Sequence, residues 1–220
     1  MIIKVCGVRT AAVAEAAVDA GADWIGLVFA DASPRYADDA AAMEVRAAVA
    51  GRADLVGVFV EPEAELCNRL ADRYALAAVQ LHGAIDPQFV VAIDSPVIRG
   101  VNVASAFEAF TYQWWPDGMI LLDAVPDLGG LPGGTGREVD LAVAAEVARH
   151  RRIMLAGGLR PDTVGAAVAA VRPWGVDASS GLETTPGVKD LGRVARYVAA
   201  ARAAADRVPV SPIATVGDDG

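Results

Sequence analysis

The chain has 220 residues, 54% of them hydrophobic, which is enough for a sizeable core in one large domain or two small ones. Its formal net charge of −9 makes the surface acidic, and such a surface repels phosphate backbones, so we expect no nucleic-acid partner. Two cysteines are too few for a disulfide framework, the MIIKVCG segment is too short for a secretory signal, and no apolar run spans a bilayer. We therefore expect a cytoplasmic protein without a membrane partner.

Eight apolar, β-rich runs alternate with Ala-rich helical patterns along the chain. The predicted strands are 2–6, 24–29, 55–60, 77–81, 97–101, 119–123, 152–156 and 174–179. Strict alternation predicts a parallel sheet covered by helices, and eight units close naturally into a (β/α)8 TIM barrel of the α/β class. The alternative is an open doubly wound sheet, which usually has fewer strands and a Gly-rich turn after the first strand. We expect a single domain over 1–207 and a poorly ordered tail over 208–220.

The active site of a closed barrel lies at the carboxyl ends of its strands, so the residues at those ends are the candidates for chemistry. The polar, reactive or small residues found there are Cys6, Arg35, His82, Asp123, Gly157, Gly158, Ser179, Ser180 and Gly181. Small residues after strands 7 and 8 let the backbone approach an anion, and these loops are the habitual phosphate site of the fold. We therefore predict that Gly157, Gly158, Ser180 and Gly181 bind phosphate, the alternative being that the glycines only make tight turns.

Several motifs occur in a characteristic order: KVCG, SPR, QLHG, LLDA, GGTG, LAGGL and GVDASSGLE. With them the chain resembles the phosphoribosylanthranilate isomerases of tryptophan biosynthesis, from about residue 2 to residue 207. The resemblance implies an Amadori rearrangement of N-(5'-phosphoribosyl)anthranilate to 1-(2-carboxyphenylamino)-1-deoxyribulose 5-phosphate. Because a protonated imine serves as the electron sink, it also implies no metal and no organic cofactor. A small-molecule phosphosugar is then the partner, bound by a monomer or a homodimer.

The resemblance also implies roles for individual residues. Asp123 matches the general acid and Cys6 the general base, whereas Cys67, in a helical stretch, is expected to be packing. The fork of Arg35 suits the anthranilate carboxylate. His82 either lines the pocket or hydrogen-bonds a neighbouring loop. Further substrate contacts are expected from Gly134 and Thr135, within a segment (126–136) that we predict to be mobile and to order over the phosphate.

Strand alternation adds one inference about charge. Lys4 shares a face with Cys6, and a buried lysine needs a partner. Because strand 8 adjoins strand 1 in a barrel, we predict a pair between Lys4 and Asp177, extended by Gln80 and Arg99. The alternative is that Asp177 faces substrate hydroxyls, and both can hold together.

The sequence disfavours three other functions. The related isomerase of histidine biosynthesis would need a second anion site after strands 3 and 4, where strand 3 instead runs into the glutamates of VEPEAE. Indole-glycerol-phosphate synthase would need catalytic lysines at strand ends, and the only lysines are Lys4 and Lys189. A sugar-phosphate sensor without activity would not need both the acid and the base.

Overall fold

A computed structural model describes residues 1–102, 118–124 and 139–208 of the chain. Eight parallel strands pair in chain order, and the last pairs with the first, so the sheet is a closed barrel. The strands are β1 (Ile2–Cys6), β2 (Trp24–Val28), β3 (Asp54–Val60), β4 (Ala78–His82), β5 (Val97–Asn102), β6 (Met119–Asp123), β7 (Ile153–Leu155) and β8 (Gly175–Ala178). The predicted barrel is confirmed, and the open sheet is excluded because β1 and β8 are hydrogen-bonded neighbours.

Seven helices occur in the described parts of the chain, and they surround the barrel. They are α1 (Ala11–Asp19), α2 (Asp39–Val49), α3 (Ala64–Tyr74), α4 (Pro87–Val91), α5 (Leu141–His150), α6 (Val164–Val171) and α7 (Leu191–Ala205). Most begin at a side chain that accepts an otherwise unpaired N–H of the first turn, as Thr10, Asp38, Asp86, Asp140 and Asp190 do. Each of these five caps ends the preceding loop at a defined residue. None of the described helices combines the length and the apolar character needed to cross a membrane.

The two-residue period of the strands divides the buried side chains into two sets. One set, including Ile3, Val5, Ile25 and Leu27, packs between the barrel and its helices. The other set fills the barrel, with Val56, Ala78, Ile98, Leu121 and Met154 in its lower part. Above them, towards the carboxyl ends of the strands, the interior becomes polar. The sequence pattern therefore places the reactive residues on top of an apolar plug.

Two short strands follow β8 that the sequence did not indicate. β9 (Glu183–Thr185) and β10 (Val188–Lys189) form an antiparallel hairpin that precedes α7. Its turn lies against the loop after β2, because a side chain at Gly187 would meet the carbonyl oxygen of Pro34 at 2.2 Å. The hairpin thus joins the last barrel unit to the second one, at the end of the barrel where the site is expected. The domain boundary at residue 207 stays a prediction, and the tail after residue 208 lies outside the described residues.

Candidate active site

A cavity of about 540 Å³ opens at the carboxyl ends of the barrel strands. Its walls contain most of the candidates from the sequence, namely Cys6, Arg35, His82, Asp123, Gly157, Gly158, Asp177 and Ser180. Gly181 lies beside Ser180 in a short 3-10 turn, Ser180–Leu182, packed against the carbonyl of Leu159. Gly134 and Thr135, together with the segment 126–136 predicted to move, lie outside the described residues. Residues far apart in the sequence are therefore collected around one space.

Cys6 is the last residue of β1 and is almost completely buried, at 6% exposure. Its neighbour across the sheet is Gly26, where a side chain would meet the Cys6 sulfur at 2.8 Å. The missing side chain therefore makes room for the thiol on the cavity wall. Ser179 Oγ donates to the Cys6 carbonyl oxygen at 3.1 Å and ties this strand end to β8. Burial raises the pKa of the Cys6 thiol, against the lowering effect of the nearby Lys4 ammonium.

Asp123 ends β6 and is buried, at 6% exposure, after the apolar residues Leu121 and Leu122. Its Oδ1 accepts a hydrogen bond of 2.8 Å from the amide of Ala124, which fixes the orientation of the carboxyl group. Asp123 thus lies in the cavity wall with Cys6, where a carboxyl group can exchange a proton with a ligand.

Arg35 is presented by the SPR turn after β2. Ser33 Oγ accepts the Arg35 amide at 3.1 Å, and this turn directs the arginine towards the cavity. The guanidinium then forms a bidentate ion pair with Glu183, with Nε–Oε1 at 2.8 Å and Nη2–Oε2 at 2.9 Å. Two parallel bonds hold the planar group in one orientation.

Glu183 and Lys189 were not identified from the sequence as part of the site. Lys189 Nζ lies 2.6 Å from Glu183 Oε1, and it also contacts the Ser179 carbonyl oxygen and Oγ, each at 3.2 Å. Burial favours the neutral form of Glu183, but the hydrogen bonds from Arg35 and Lys189 outweigh it and lower the pKa of the carboxyl. One carboxylate therefore serves two cations. In the sequence, Glu183 and Lys189 are only an acidic and a basic residue after the last predicted strand. Nothing in that pattern indicates that Glu183 pairs with Arg35 in the loop after β2.

The predicted pair of Lys4 and Asp177 is confirmed inside the barrel. Lys4 is fully buried, and its Nζ lies 3.1 Å from Asp177 Oδ2 and 2.9 Å from Gln80 Oε1. The expected extension to Arg99 is wrong. In the register of β4 and β5, Gln80 lies beside Ile98, so Arg99 alternates to the other face, and it donates to the carbonyls of Leu81 and Gly83.

His82 lines the cavity, which is one of the two expectations for it. Its Nε2 lies 2.7 Å from Nε2 of Gln80, two residues earlier on the same strand, and in the described part of the chain it has no hydrogen bond to a neighbouring loop. Because Gln80 Oε1 accepts from Lys4, its amide must donate to His82, and the histidine proton is then on Nδ1. Burial and the charges of Lys4 and Arg99 lower the pKa of His82 to about 4. His82 is therefore a neutral imidazole at physiological pH.

This pKa predicts an acid-dependent loss of stability. The unfolded chain binds a proton at His82 below about pH 6.5, whereas the folded chain does so only below about pH 4, so the free energy of unfolding falls as the pH drops between them. At pH 4.5 the loss from this residue should be about 2–3 kcal/mol. Urea unfolding of the parent and of His82→Gln at pH 7 and pH 4.5 measures it. The variant should lose less stability on acidification, and an equal loss in both proteins would contradict the prediction.

In residues 1–102, 118–124 and 139–208, no group of three or more His, Cys, Asp or Glu side chains could hold a metal ion.

Comparison with known proteins identifies the family. The model of the N-(5'-phosphoribosyl)anthranilate isomerase family matches residues 3–200, nearly the whole barrel. The chain belongs to this family. Among named N-(5'-phosphoribosyl)anthranilate isomerases, that of Magnetococcus marinus is 40% identical over 93% of this chain and 96% of its own. That of Roseiflexus castenholzii is 41% identical over 93% of this chain and all of its own.

Solved structures of phosphoribosylanthranilate isomerases share the fold. The enzyme of Thermotoga maritima superposes with a TM-score of 0.83 at 33% identity, covering 92% of this chain and 100% of that one. Another isomerase structure, in complex with reduced 1-(o-carboxyphenylamino)-1-deoxyribulose 5-phosphate, superposes with a TM-score of 0.81 at 31% identity, with the same coverage. The family is thus one of aldose–ketose isomerases of tryptophan biosynthesis built on a TIM barrel.

Proposed function

We propose that this chain converts N-(5'-phosphoribosyl)anthranilate to 1-(2-carboxyphenylamino)-1-deoxyribulose 5-phosphate, with Asp123 as general acid and Cys6 as general base. The observation that carries the proposal is that both residues line one cavity, with Arg35 and the turns after β7 and β8 in the same walls. A site of this composition offers a proton donor, a proton acceptor, a cation for a carboxylate and a cradle for a phosphate.

The first half of the reaction opens the furanose ring. The anthranilate nitrogen lone pair forms the C1'–N double bond as the C1'–O4' bond breaks, and Asp123 gives its proton to the departing ring oxygen. The product is a Schiff base with a positive charge on nitrogen. The hydrogen bond from Ala124 to Asp123 Oδ1 holds the carboxyl group in place and stabilises the carboxylate that this step leaves.

The second half moves the double bond along the sugar. Cys6, as thiolate, takes the proton from C2', and the C–H electron pair flows towards the positive nitrogen to give an enaminol. Return of a proton to C1' and loss of the C2' hydroxyl proton produce the aminoketose. The nitrogen acts as the electron sink, which is why a single well-placed base suffices for this step.

Phosphate binding is proposed for the turns after β7 and β8. Gly157 and Gly158 both have positive φ, of 83° and 63°, and a side chain at Gly157 would meet the Ala124 amide nitrogen at 2.9 Å. Within the described ranges, neither glycine amide donates a hydrogen bond to a protein acceptor, so both are available to an anion. Ser180, in the next turn, lines the same cavity, and Gly181, Gly134 and Thr135 remain proposed contacts. Such backbone N–H groups favour phosphate even in an acidic protein.

The geometry of Arg35 supports it as the ligand of the anthranilate carboxylate. Its guanidinium lines the cavity and is held in one orientation by Glu183. The planar guanidinium matches the shape and charge of a carboxylate. Asp177 Oδ1 is buried and has no hydrogen-bond partner among the described residues, so the same aspartate that pairs with Lys4 is also proposed to accept a substrate hydroxyl.

Steady-state turnover of enzymatically generated N-(5'-phosphoribosyl)anthranilate tests the proposal directly. Product formation should be catalytic and should require no added metal or cofactor. A folded protein that binds the substrate but does not convert it would show that the chain is a sensor and not an enzyme.

Sedimentation of the same sample would decide between the predicted monomer and homodimer. A Thermotoga maritima relative is described as dimeric.

Arg35→Ala should chiefly raise KM, by about 10–100-fold, because removal of a charge-assisted hydrogen bond to the substrate carboxylate costs about 1.5–3 kcal/mol in ground state and transition state alike. A smaller fall in kcat is expected if the aromatic ring is less well positioned. Arg207→Ala is the matched control, since Arg207 is exposed at the end of α7, and its kinetics should equal those of the parent. A loss confined to kcat, with KM unchanged, would show that Arg35 has another role.

A further inference from the structure

The interior of the barrel holds one ammonium group that the proposed reaction does not use. Lys4 lies two residues before Cys6 on the same face of β1, and it is completely buried. Burying the charge of a lysine costs free energy unless the ammonium is paired and hydrogen-bonded. Its position on β1 makes the Cys6 thiol its neighbour towards the cavity.

An ammonium group has three N–H donors, and two of them are accounted for. They go to Asp177 Oδ2 at 3.1 Å and to Gln80 Oε1 at 2.9 Å, and these two acceptors hold Nζ in one place. Among the described residues no acceptor is bonded to the third donor, and the next side chain on the same face of β1 is that of Cys6. Gly26, beside Cys6 in the sheet, leaves room for the sulfur, and Cys6 lines the cavity.

Three charged groups act on the Cys6 sulfur from the elements packed around it. Lys4 on β1 and Lys189 on β10 favour the thiolate, whereas Asp177 on β8 opposes it. His82, on β4, carries no charge at physiological pH. Burial opposes the charged form of Lys4, but its attraction to Asp177 and Cys6 outweighs this and raises the pKa of the ammonium. Lys4 therefore stays positive at physiological pH.

We propose that Lys4 is a positioning residue that supplies the counter-charge of the Cys6 thiolate, and that Asp177 limits this effect by sharing the same ammonium. The inference rests on the proposed role of Cys6 as base. It predicts that the two members of one ion pair act on the thiol in opposite directions. If the pair were purely structural, removal of either Lys4 or Asp177 would change the reactivity of the Cys6 thiol in the same direction.

The test measures the reactivity of Cys6 without turnover. In a Cys67→Ser background, which leaves Cys6 as the only thiol, the rate of alkylation by iodoacetamide is followed by mass spectrometry between pH 6 and pH 10. The rate reports the thiolate fraction, and its midpoint reports the pKa. Because no substrate is present, the result is independent of whether the chain is the proposed isomerase.

Lys4→Met should slow alkylation about three- to tenfold at neutral pH and move the midpoint to higher pH. Asp177→Asn should accelerate it by a similar factor and move the midpoint to lower pH, since each pKa unit changes the thiolate fraction tenfold while the intrinsic nucleophilicity changes the other way. The double variant Lys4→Met/Asp177→Asn, which buries no unpaired charge, should fall between the two. Lys189→Met is the matched control and should slow the reaction less than threefold.

Shifts in the same direction in Lys4→Met and Asp177→Asn, or no shift in either, would overturn the proposal. If Lys4→Met does not fold, the double variant and Asp177→Asn decide it. A Cys6 that is no more reactive in Asp177→Asn than in the parent contradicts a counter-charge role, whatever the kinetics of the enzyme. Circular dichroism of each variant shows which of them are folded.

Discussion

Cys6→Ala should lower kcat by about 10²–10⁴-fold while the protein stays folded, because a positioned base contributes an effect of this size and alanine cannot accept the C2' proton. Cys6→Ser should also be poor, since a hydroxyl is a far weaker base than a thiolate. Steady-state turnover of freshly generated substrate measures both, with circular dichroism as the check of folding.

The matched control for Cys6 is the other cysteine. Cys67 lies in α3, is fully buried and lines no part of the cavity, and burial raises the pKa of its thiol to about 11. Cys67→Ala should leave kcat unchanged and cost only stability through a lost core contact. A folded Cys6→Ala protein with a kcat near that of the parent would make Cys6 a packing residue and the proposed mechanism wrong.

Asp123→Asn should be at least as damaging, because ring opening precedes every later step. An amide occupies the same space but has no acidic proton for the ring oxygen, so kcat should fall by about 10²–10⁴-fold or more. Asp54→Asn is the matched control: Asp54 is exposed at the first residue of β3, at the opposite end of the barrel, and its replacement should have no effect on turnover.

An isotope effect separates the two roles. With deuterium at C2', the residual turnover of Cys6→Ala should slow, since proton removal is its limiting step. The residual turnover of Asp123→Asn should not, because ring opening limits it. The reverse pattern would exchange the two residues, with Cys6 acting on the ring oxygen and Asp123 on C2'.

Much of the barrel could be derived from the sequence because it rests on local signals. The alternation of apolar runs and Ala-rich helices predicts eight units, and closure follows from their number. The two-residue strand period also predicted the Lys4–Asp177 pair correctly. It failed for Arg99 because the prediction took no account of register: Ile98, not Arg99, stands beside Gln80. The alternation of side chains between the two faces of a strand follows from the local sequence. The residues that stand beside each other on neighbouring strands do not.

In the candidate site, too, the sequence predicted what depends on local signals and missed what depends on tertiary contacts. Residues at strand ends, such as Cys6 and Asp123, were found because the barrel places its site there. Glu183 was missed because its partner Arg35 is 148 positions away and neither residue carries a pattern that indicates the other. The β9–β10 hairpin was missed because strands of two and three residues are too short for a periodic signal. Contacts between loops depend on their tertiary placement, which no local pattern contains.

Three contacts of the site join the beginning of the chain to its end. Lys4 meets Asp177 and Cys6 meets Ser179, in each case across 173 positions, and Arg35 meets Glu183 across 148. A nascent chain on the ribosome therefore has Cys6 and Arg35 from the start but cannot arrange them until β8 and the hairpin emerge. Contacts of such long range form late in folding. Chains truncated before Lys189 should accordingly have no partial activity, and the appearance of turnover during synthesis would report the moment at which the barrel closes.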